Sequence, residues 1–385
     1  MSDRDAALER YERYIQADPR NPALWMRFGD VLHQAGEFER AEQAFRESLA
    51  IDPASAVAWS RIAAVELSRG RFAEAERILR RLLSEGEQDT ALVFNLALAL
   101  YWQRRFEAAI QILEPLTRAP RHAQDAGYYY LSCLHNLDRT EEALAQGDAL
   151  LKRSPSPKIR GYLALIHLDA SQMSQACELA REALRDQPEN PDAAAVLGTY
   201  AIENQQIEEA ERLLHIVAAQ EPNNVRSWQG LALTALYRQQ PDEATGHLQR
   251  AMACDPGNLG NFITLGWVHI TRRDFVTAER VFRDGIEADR NHAELHGGLA
   301  SALVFQNRVE EAKREIGLAL GLDKQCFGAI YARSILLRLD GREEKSTRIV
   351  AEMLETRLRP DGTSLLEGLT KYWQQRRTKT SERAR

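Results

Sequence analysis

Cysteine is scarce. The 385 residues hold four, Cys133, Cys177, Cys254 and Cys326, far apart and with no CxxC pair. That excludes a disulfide framework and a thiolate metal cluster, and it predicts a reduced, cytoplasmic setting. Long apolar runs are missing too. Nothing approaches the roughly 18 residues that a membrane span needs, and the opening MSDRDAALERYERY is charged, without the apolar core of a secretory signal. A basic excess is also absent. Lys and Arg number 50 against 56 Asp and Glu, a net charge of −6, which argues against the cationic footprint of nucleic-acid binding. No GxxxxGK[ST] and no GxGxxG occurs, so no phosphate loop is expected.

What the chain does have is a phrase, Ala23 to Pro53, that reads as two amphipathic helices. The first, from about Pro22 to Gln34, carries Trp25, Phe28, Gly29 and Leu32 on one face. Ala35-Gly36 breaks it, since glycine readily enters the left-handed conformation that ends helices. The second starts near Phe38, buries Ala41, Phe45 and Leu49, and stops at Asp52-Pro53 because proline cannot continue a helix. One such hairpin cannot bury its own apolar face, so it needs neighbours. They stand at a fixed step. The place of Ala41 is refilled by Ala75, Ala109, Ala143, Ala176, Ala210, Ala244, Ala278 and Ala312, at one constant interval that is shortened only from Ala143 to Ala176. A small residue there is what close helix approach requires. The place of Phe28 reads Ile62, Leu96, Tyr130, Leu163, Leu197, Leu231, Leu265 and Leu299, and a closing proline recurs at Pro19, Pro53, Pro155, Pro188, Pro222 and Pro256.

On these residues the chain resembles the tetratricopeptide repeats, whose helix–turn–helix of about 34 residues keeps W, L-G, Y, A, F, A and P at set places. The best matches are Trp25…Phe28-Gly29…Ala41…Phe45…Pro53 and Trp228…Leu231…Ala244…Ala251…Pro256. The resemblance implies an all-α fold: a right-handed superhelical solenoid of about ten repeats with terminal capping helices, in which each repeat touches only its neighbours. Residues 1–21 read as an N-terminal half-repeat, with Ala7, Tyr11 and Pro19 at second-helix places. Residues 22–360 form the array, with repeats starting near 22, 56, 90, 124, 157, 191, 225, 259, 293 and 327. The tenth is degenerate, with Arg333 where leucine is expected and Ser346 at the alanine place. Residues 361–376 present Leu365, Leu366, Leu369 and Tyr372 or Trp373 on one side and read as a C-terminal capping helix; 377–385 read as a basic disordered tail. The junction Leu151–Lys158 holds two prolines and the one deleted residue of the period, and a local change of twist is expected there.

Catalytic and metal chemistry find little support. His292 and His296 stand four apart, but at a turn and at the tryptophan place, so neither metal nor cofactor is expected. His33 and His135 share one outward place and read as solvated. Glu141-Glu142, Glu208-Glu209 and Glu310-Glu311 sit at the starts of second helices, where the helix dipole favours carboxylates, rather than forming an acid–base dyad. No enzyme is expected.

The resemblance places partner binding on the outward side of the first helices, which lines the concave groove of such arrays. At about 100° per residue those are places 2, 6, 9 and 13, flanked by 5 and 12. They hold Asn95 and Trp102, flanked by Phe94 and Tyr101; Tyr129 and Asn136, flanked by Tyr128 and His135; Lys158 and Tyr162; and, further on, Tyr237, Trp267 and Phe305. Aromatic rings outside a core, mixed with amides, compose a recognition patch, and Asn95 and Asn136 suit the backbone of an extended peptide. A clamp for a chaperone's C-terminal carboxylate is excluded, because the relevant places hold Met26, Asp30, Ser60, Ala64, Phe94 and Leu98. The expected function is therefore a scaffold or adaptor that takes a segment of a protein partner in its groove. The alternatives are an assembly scaffold joining copies of the chain through its end repeats, and the targeting partner of a separate enzyme.

Overall fold

The computed structural model describes residues 3–356 except residue 120. The expected capping helix over 361–376 and the tail over 377–385 lie outside the described residues. Within them the chain is helical throughout, with twenty-one helices and no strand. Two compact units divide it, residues 1–200 and 201–385. The first begins with α1 (Asp3–Ala17), followed by the hairpins α2 (Pro22–Gln34) and α3 (Phe38–Ile51), α4 (Ala56–Ser68) and α5 (Phe72–Ser84), α6 (Thr90–Trp102) and α7 (Phe106–Leu116), α8 (Ala123–Asn136) and α9 (Thr140–Arg153), and α10 (Pro157–Asp169) and α11 (Met173–Asp186). Helix α12 (Pro191–Glu203) spans the division. The second unit continues with α13 (Ile207–Gln220), α14 (Val225–Tyr237) and α15 (Pro241–Cys254), α16 (Leu259–Thr271) and α17 (Phe275–Ala288), α18 (Ala293–Phe305) and α19 (Val309–Leu322), and α20 (Phe327–Leu339) and α21 (Glu343–Thr356).

Local chemistry explains the boundaries. Several first helices open on a side-chain cap: Asn21 accepts from the Ala23 N–H at 3.2 Å, Ser55 from Ala58, Asp89 from Ala91 and Asn224 from Ser227. Each cap satisfies a donor that the helix itself leaves unpaired. They close on one turn geometry. The Glu37 N–H reaches back to the Leu32 carbonyl at 2.9 Å and the Gly36 N–H to His33 at 3.0 Å, the paired bonds of a Schellman ending. The place of Gly36 is left-handed in every repeat, and only Gly36, Gly70 and Gly341 fill it with glycine; Arg104, Asp138, Ser171, Gln205, Gln239, Arg273 and Asn307 take the same positive φ. A Cβ at Gly36 would meet nothing within 4 Å, so any penalty there is backbone strain alone. Gly36→Ala is expected to cost about 1 kcal/mol; an unchanged urea midpoint would refute this.

The alanine column is fully covered, Ala41 through Ala312 at 0% exposure. Trp25, expected in the core, is only half-buried. Its ring lies along the surface so that the indole N–H can donate to the Pro19 carbonyl at 2.9 Å, and Trp228 repeats the bond to Pro222 at 2.8 Å. Successive hairpins are also latched by side chains. Gln103 donates to the Phe72 carbonyl and to Glu76, which also takes Arg105; Gln306, Phe275, Glu279 and Arg308 repeat the arrangement in the second unit. The deleted residue of the period falls in the short connection between α9 and α10, where Ser156 caps α10, so neither helix is shortened.

A close crossing lies between α18 and α20. Gly297 faces Gly328, Ser301 Oγ donates toward both of their carbonyls at 3.1 Å, and the Glu294 carboxylate accepts from the N–H groups of Phe327 and Gly328. The Gly297-Gly298 pair thus serves close packing, as its helical setting implies.

Candidate functional site

In the first unit, the outward places of α6, α8 and α10 are brought together by their rings. Trp102, the last residue of α6, stacks on Phe72 from the preceding hairpin, with centroids 6.0 Å apart and planes 16° from parallel. Tyr101 meets Trp102 edge-on at 5.2 Å and Tyr129 at 5.0 Å. Tyr129 continues to Phe94 and Tyr128, and Tyr128 to Tyr162 at 4.9 Å. At one end Lys158 holds its ammonium 4.7 Å from the centre of Tyr128 and bonds Asp125 at 2.6 Å. One cation is thus shared between a ring face and a carboxylate.

Burial sorts these residues. Trp102 is 53% exposed, and its indole N–H has no acceptor among the described residues. Asn95, half-buried two turns earlier on the same face, likewise keeps its amide without an internal hydrogen bond. Tyr129 is half-buried, and desolvation pushes its phenol above the ordinary range. Asn136 is exposed, with its amide donating to the Ser132 carbonyl at 2.8 Å.

Tyr162 departs from expectation. At 7% exposure it belongs to the core, not to an open face. Its hydroxyl donates to Ser132 Oγ at 3.1 Å, and burial raises its pKa strongly. Place 6 of α10 is covered because the bulky Tyr128 ring leans over it from α8. Ser132 also meets the Tyr101 hydroxyl at 2.8 Å, while His135 reaches Tyr162 and Asp169, so these groups form one polar chain across three hairpins. His135 is therefore engaged rather than solvated, and so is His33, which bonds Ser68 at 2.9 Å.

The second unit holds its own aromatic group. Phe305, 38% exposed, stacks on Phe275 at 4.8 Å, as Trp102 does on Phe72. Trp267 is half-buried among Phe282, Phe327 and Tyr331. Tyr237 stands apart, exposed beside Leu233. The supporting rings were missed in the sequence reading, yet their signal was present. An aromatic opens the second helix at Phe72 and at Phe275, and each precedes its exposed partner, Trp102 or Phe305, by the same interval.

Burial pushes the Cys133 and Cys326 thiols up to about 12, leaving them protonated and poor nucleophiles. His296 engages both ring nitrogens, with Glu315 at 2.6 Å and the Arg290 carbonyl at 3.0 Å. No three His, Cys, Asp or Glu among the described residues are grouped to hold a metal ion, and no described helix is long and apolar enough to cross a membrane.

Comparison with known proteins agrees with the repeat. Tetratricopeptide-repeat family models match residues 1–56, 66–125 and 167–233. Among solved structures the chain is similar to YrrB, described as a TPR protein with an unusual peptide-binding site (20% identity, 48% of this chain and 95% of that one, TM-score 0.37). It is similar also to MamA (24% identity, 43% and 90%, TM-score 0.39) and to a monomeric mutant of IFIT1 with Gppp-AAAA (15% identity, 86% and 90%, TM-score 0.49). No curated protein matches. The recurring helical hairpins, their alanine and proline columns and these family matches identify tetratricopeptide repeats in the chain.

Proposed function

We propose that the chain is a non-enzymatic scaffold that binds an extended segment of a protein partner along the outward face of α6 and α8. The observation that carries this reading is Trp102. Its ring is 53% exposed, stiffened from behind by Phe72 and with its N–H unused. Such a ring is a preorganised anchor that loses little side-chain entropy on binding. Asn95 supplies an unused two-sided amide for a peptide backbone, and Tyr129 and Asn136 extend the same face. Tyr162 supports Tyr128 from beneath and does not touch the ligand. The acidic balance, 56 carboxylates against 50 cations, favours protein over nucleic-acid partners.

The test is selection of peptides on the full chain from a displayed library, followed by calorimetry. Trp102→Ala is expected to weaken the selected peptide about tenfold or more with little loss of stability, as truncating a central anchor does, and Asn95→Ala to weaken it less. Tyr162→Phe should leave affinity unchanged. Equal affinity for wild type and Trp102→Ala would remove the ligand from this face.

A further inference from the structure

Leu318 and Leu322 stand one turn apart on α19 and are 54% and 47% exposed. The residue before each is a glycine, Gly317 and Gly321, and a Cβ at either would meet nothing within 4 Å. In α3, α5, α11 and α17 the places of Gly317-Leu318 read Arg46-Glu47, Arg80-Arg81, Arg181-Glu182 and Arg283-Asp284, long charged side chains that keep the helix surface wet. At about 100° per residue the two glycines fall between the exposed leucines and Leu320. Leu320 lines a cleft of about 410 Å³ together with Ile330, Ile349 and Met353. The solvent side of α19 is therefore a notch between two apolar walls.

The corresponding cleft between α3 and α5 is of similar size, about 400 Å³, but ion pairs fill it: Glu42 holds Arg46 and Arg69, and Glu74 holds Arg77. Around α19 the balance differs. Its carboxylates are all engaged, Glu310 with Lys313, Glu311 with Arg308 and Glu315 with His296. Just past the helix Asp323 accepts from the Gln325 N–H, and across the cleft Glu352 holds Arg348. The side chains of Arg314, Lys324 and Arg333, by contrast, make no hydrogen bond or ion pair among the described residues. Lys324 and Arg333 line the cleft, and Arg314 lies one turn before Leu318 on the same side.

We infer that this side of α19 docks an acidic amphipathic helix of a partner protein. The apolar ridge of that helix lies in the notch of Gly317 and Gly321 against Leu318 and Leu322, as ridges pack into grooves. Its carboxylates meet Arg314, Lys324 and Arg333. Apolar burial supplies the affinity, and the three unpaired cations select an acidic partner over a basic one. The inference is independent of the binding face on α6 and α8.

The probe is a stapled helical peptide with leucines at i, i+4 and i+7 and glutamates on its flanks, and fluorescence anisotropy on the full chain reads its affinity. Exchange of the glutamates for lysines should weaken binding about tenfold or more. Gly317→Arg restores the arginine that α3, α5, α11 and α17 carry at this place. It should weaken the probe about tenfold or more while the urea midpoint stays level or rises, because arginine is the better helix former. Arg314→Glu with Lys324→Glu should reverse the preference toward the lysine probe. Trp102→Ala should leave the probe bound, which separates this face from the one on α6 and α8. The inference is overturned if the wild-type chain does not bind the probe. It is overturned equally if the free chain self-associates and Gly317→Arg abolishes this, since the occupant is then a second copy. Binding that emerges only in Leu365→Asp with Leu369→Asp would make the occupant the chain's own C-terminal residues, and overturn it too.

Discussion

A single methyl group added at Gly297 is expected to unfold the last hairpins of the chain. The Cβ of Gly297→Ala would stand 2.6 Å from the Ala329 nitrogen and 2.6 Å from Cys326 Sγ; that of Gly328→Ala would stand 2.5 Å from the Gly297 carbonyl carbon. Backbone atoms are among these neighbours on both sides, so no rotamer change relieves the clash. Either α18 and α20 move apart, or the bonds of Ser301 and Glu294 across the crossing are lost. Overpacking a core costs about 1–3 kcal/mol when side chains can yield. With backbone in the way, about 3 kcal/mol or more is expected, centred on α18–α21. Gly317→Ala and Gly321→Ala provide the contrast. A Cβ at either of these helical glycines in α19 meets nothing within 4 Å. Each substitution should stabilise by about 0.5–1 kcal/mol through helix propensity alone. Urea melts with local hydrogen exchange separate the two classes, because repeats pass strain to neighbours and not along the whole chain. A Gly297→Ala chain as stable as wild type would mean that the helices do not cross this closely.

Much of this architecture was legible because the repeat writes the same physics many times. One alanine could be chance, but the column from Ala41 to Ala312, at one near-constant step, dictates where helix axes approach. The turn was less legible. Glycine marks the left-handed residue at Gly36, Gly70 and Gly341, but Arg104 and Gln205 reveal nothing by type, and it is the surrounding Schellman bonds that hold them there. The binding face was the least legible part. Asn95, Tyr129 and Tyr162 occupy the same place in consecutive first helices, yet Tyr162 is buried and the other two are not. Periodicity states which way a side chain leaves its helix. Whether a neighbouring ring then covers it depends on bulk one repeat away, as Tyr128 does for Tyr162 and Phe72 does beneath Trp102.

The same dependence on bulk, now between the two helices of one hairpin, yields the other large expected effect. Where the first helix has Gly29 the second has Phe45, and Gly266 faces Phe282 in the same way; the same two places hold Ala63 with Leu79 and Ala97 with Leu113. The volume lost at one place is restored at the other, as a core of crystal-like density requires. A Cβ at Gly29 would lie 2.5 Å from Phe45 Cε1, and Phe45 has no exposure through which its ring could withdraw. Gly29→Ala should therefore cost about 1–3 kcal/mol by overpacking. Phe45→Leu should cost about 1–2 kcal/mol, a fraction of the loss from full truncation of a buried phenylalanine. Made together, they recreate the Ala63–Leu79 pair of the adjacent hairpin. The combined loss should then fall short of the sum by about 1–2 kcal/mol, the coupling of two residues that share one space. Strict additivity in the double-mutant cycle would show that the two places do not exchange volume. The reciprocal pattern would then belong to each helix separately rather than to the packing between them.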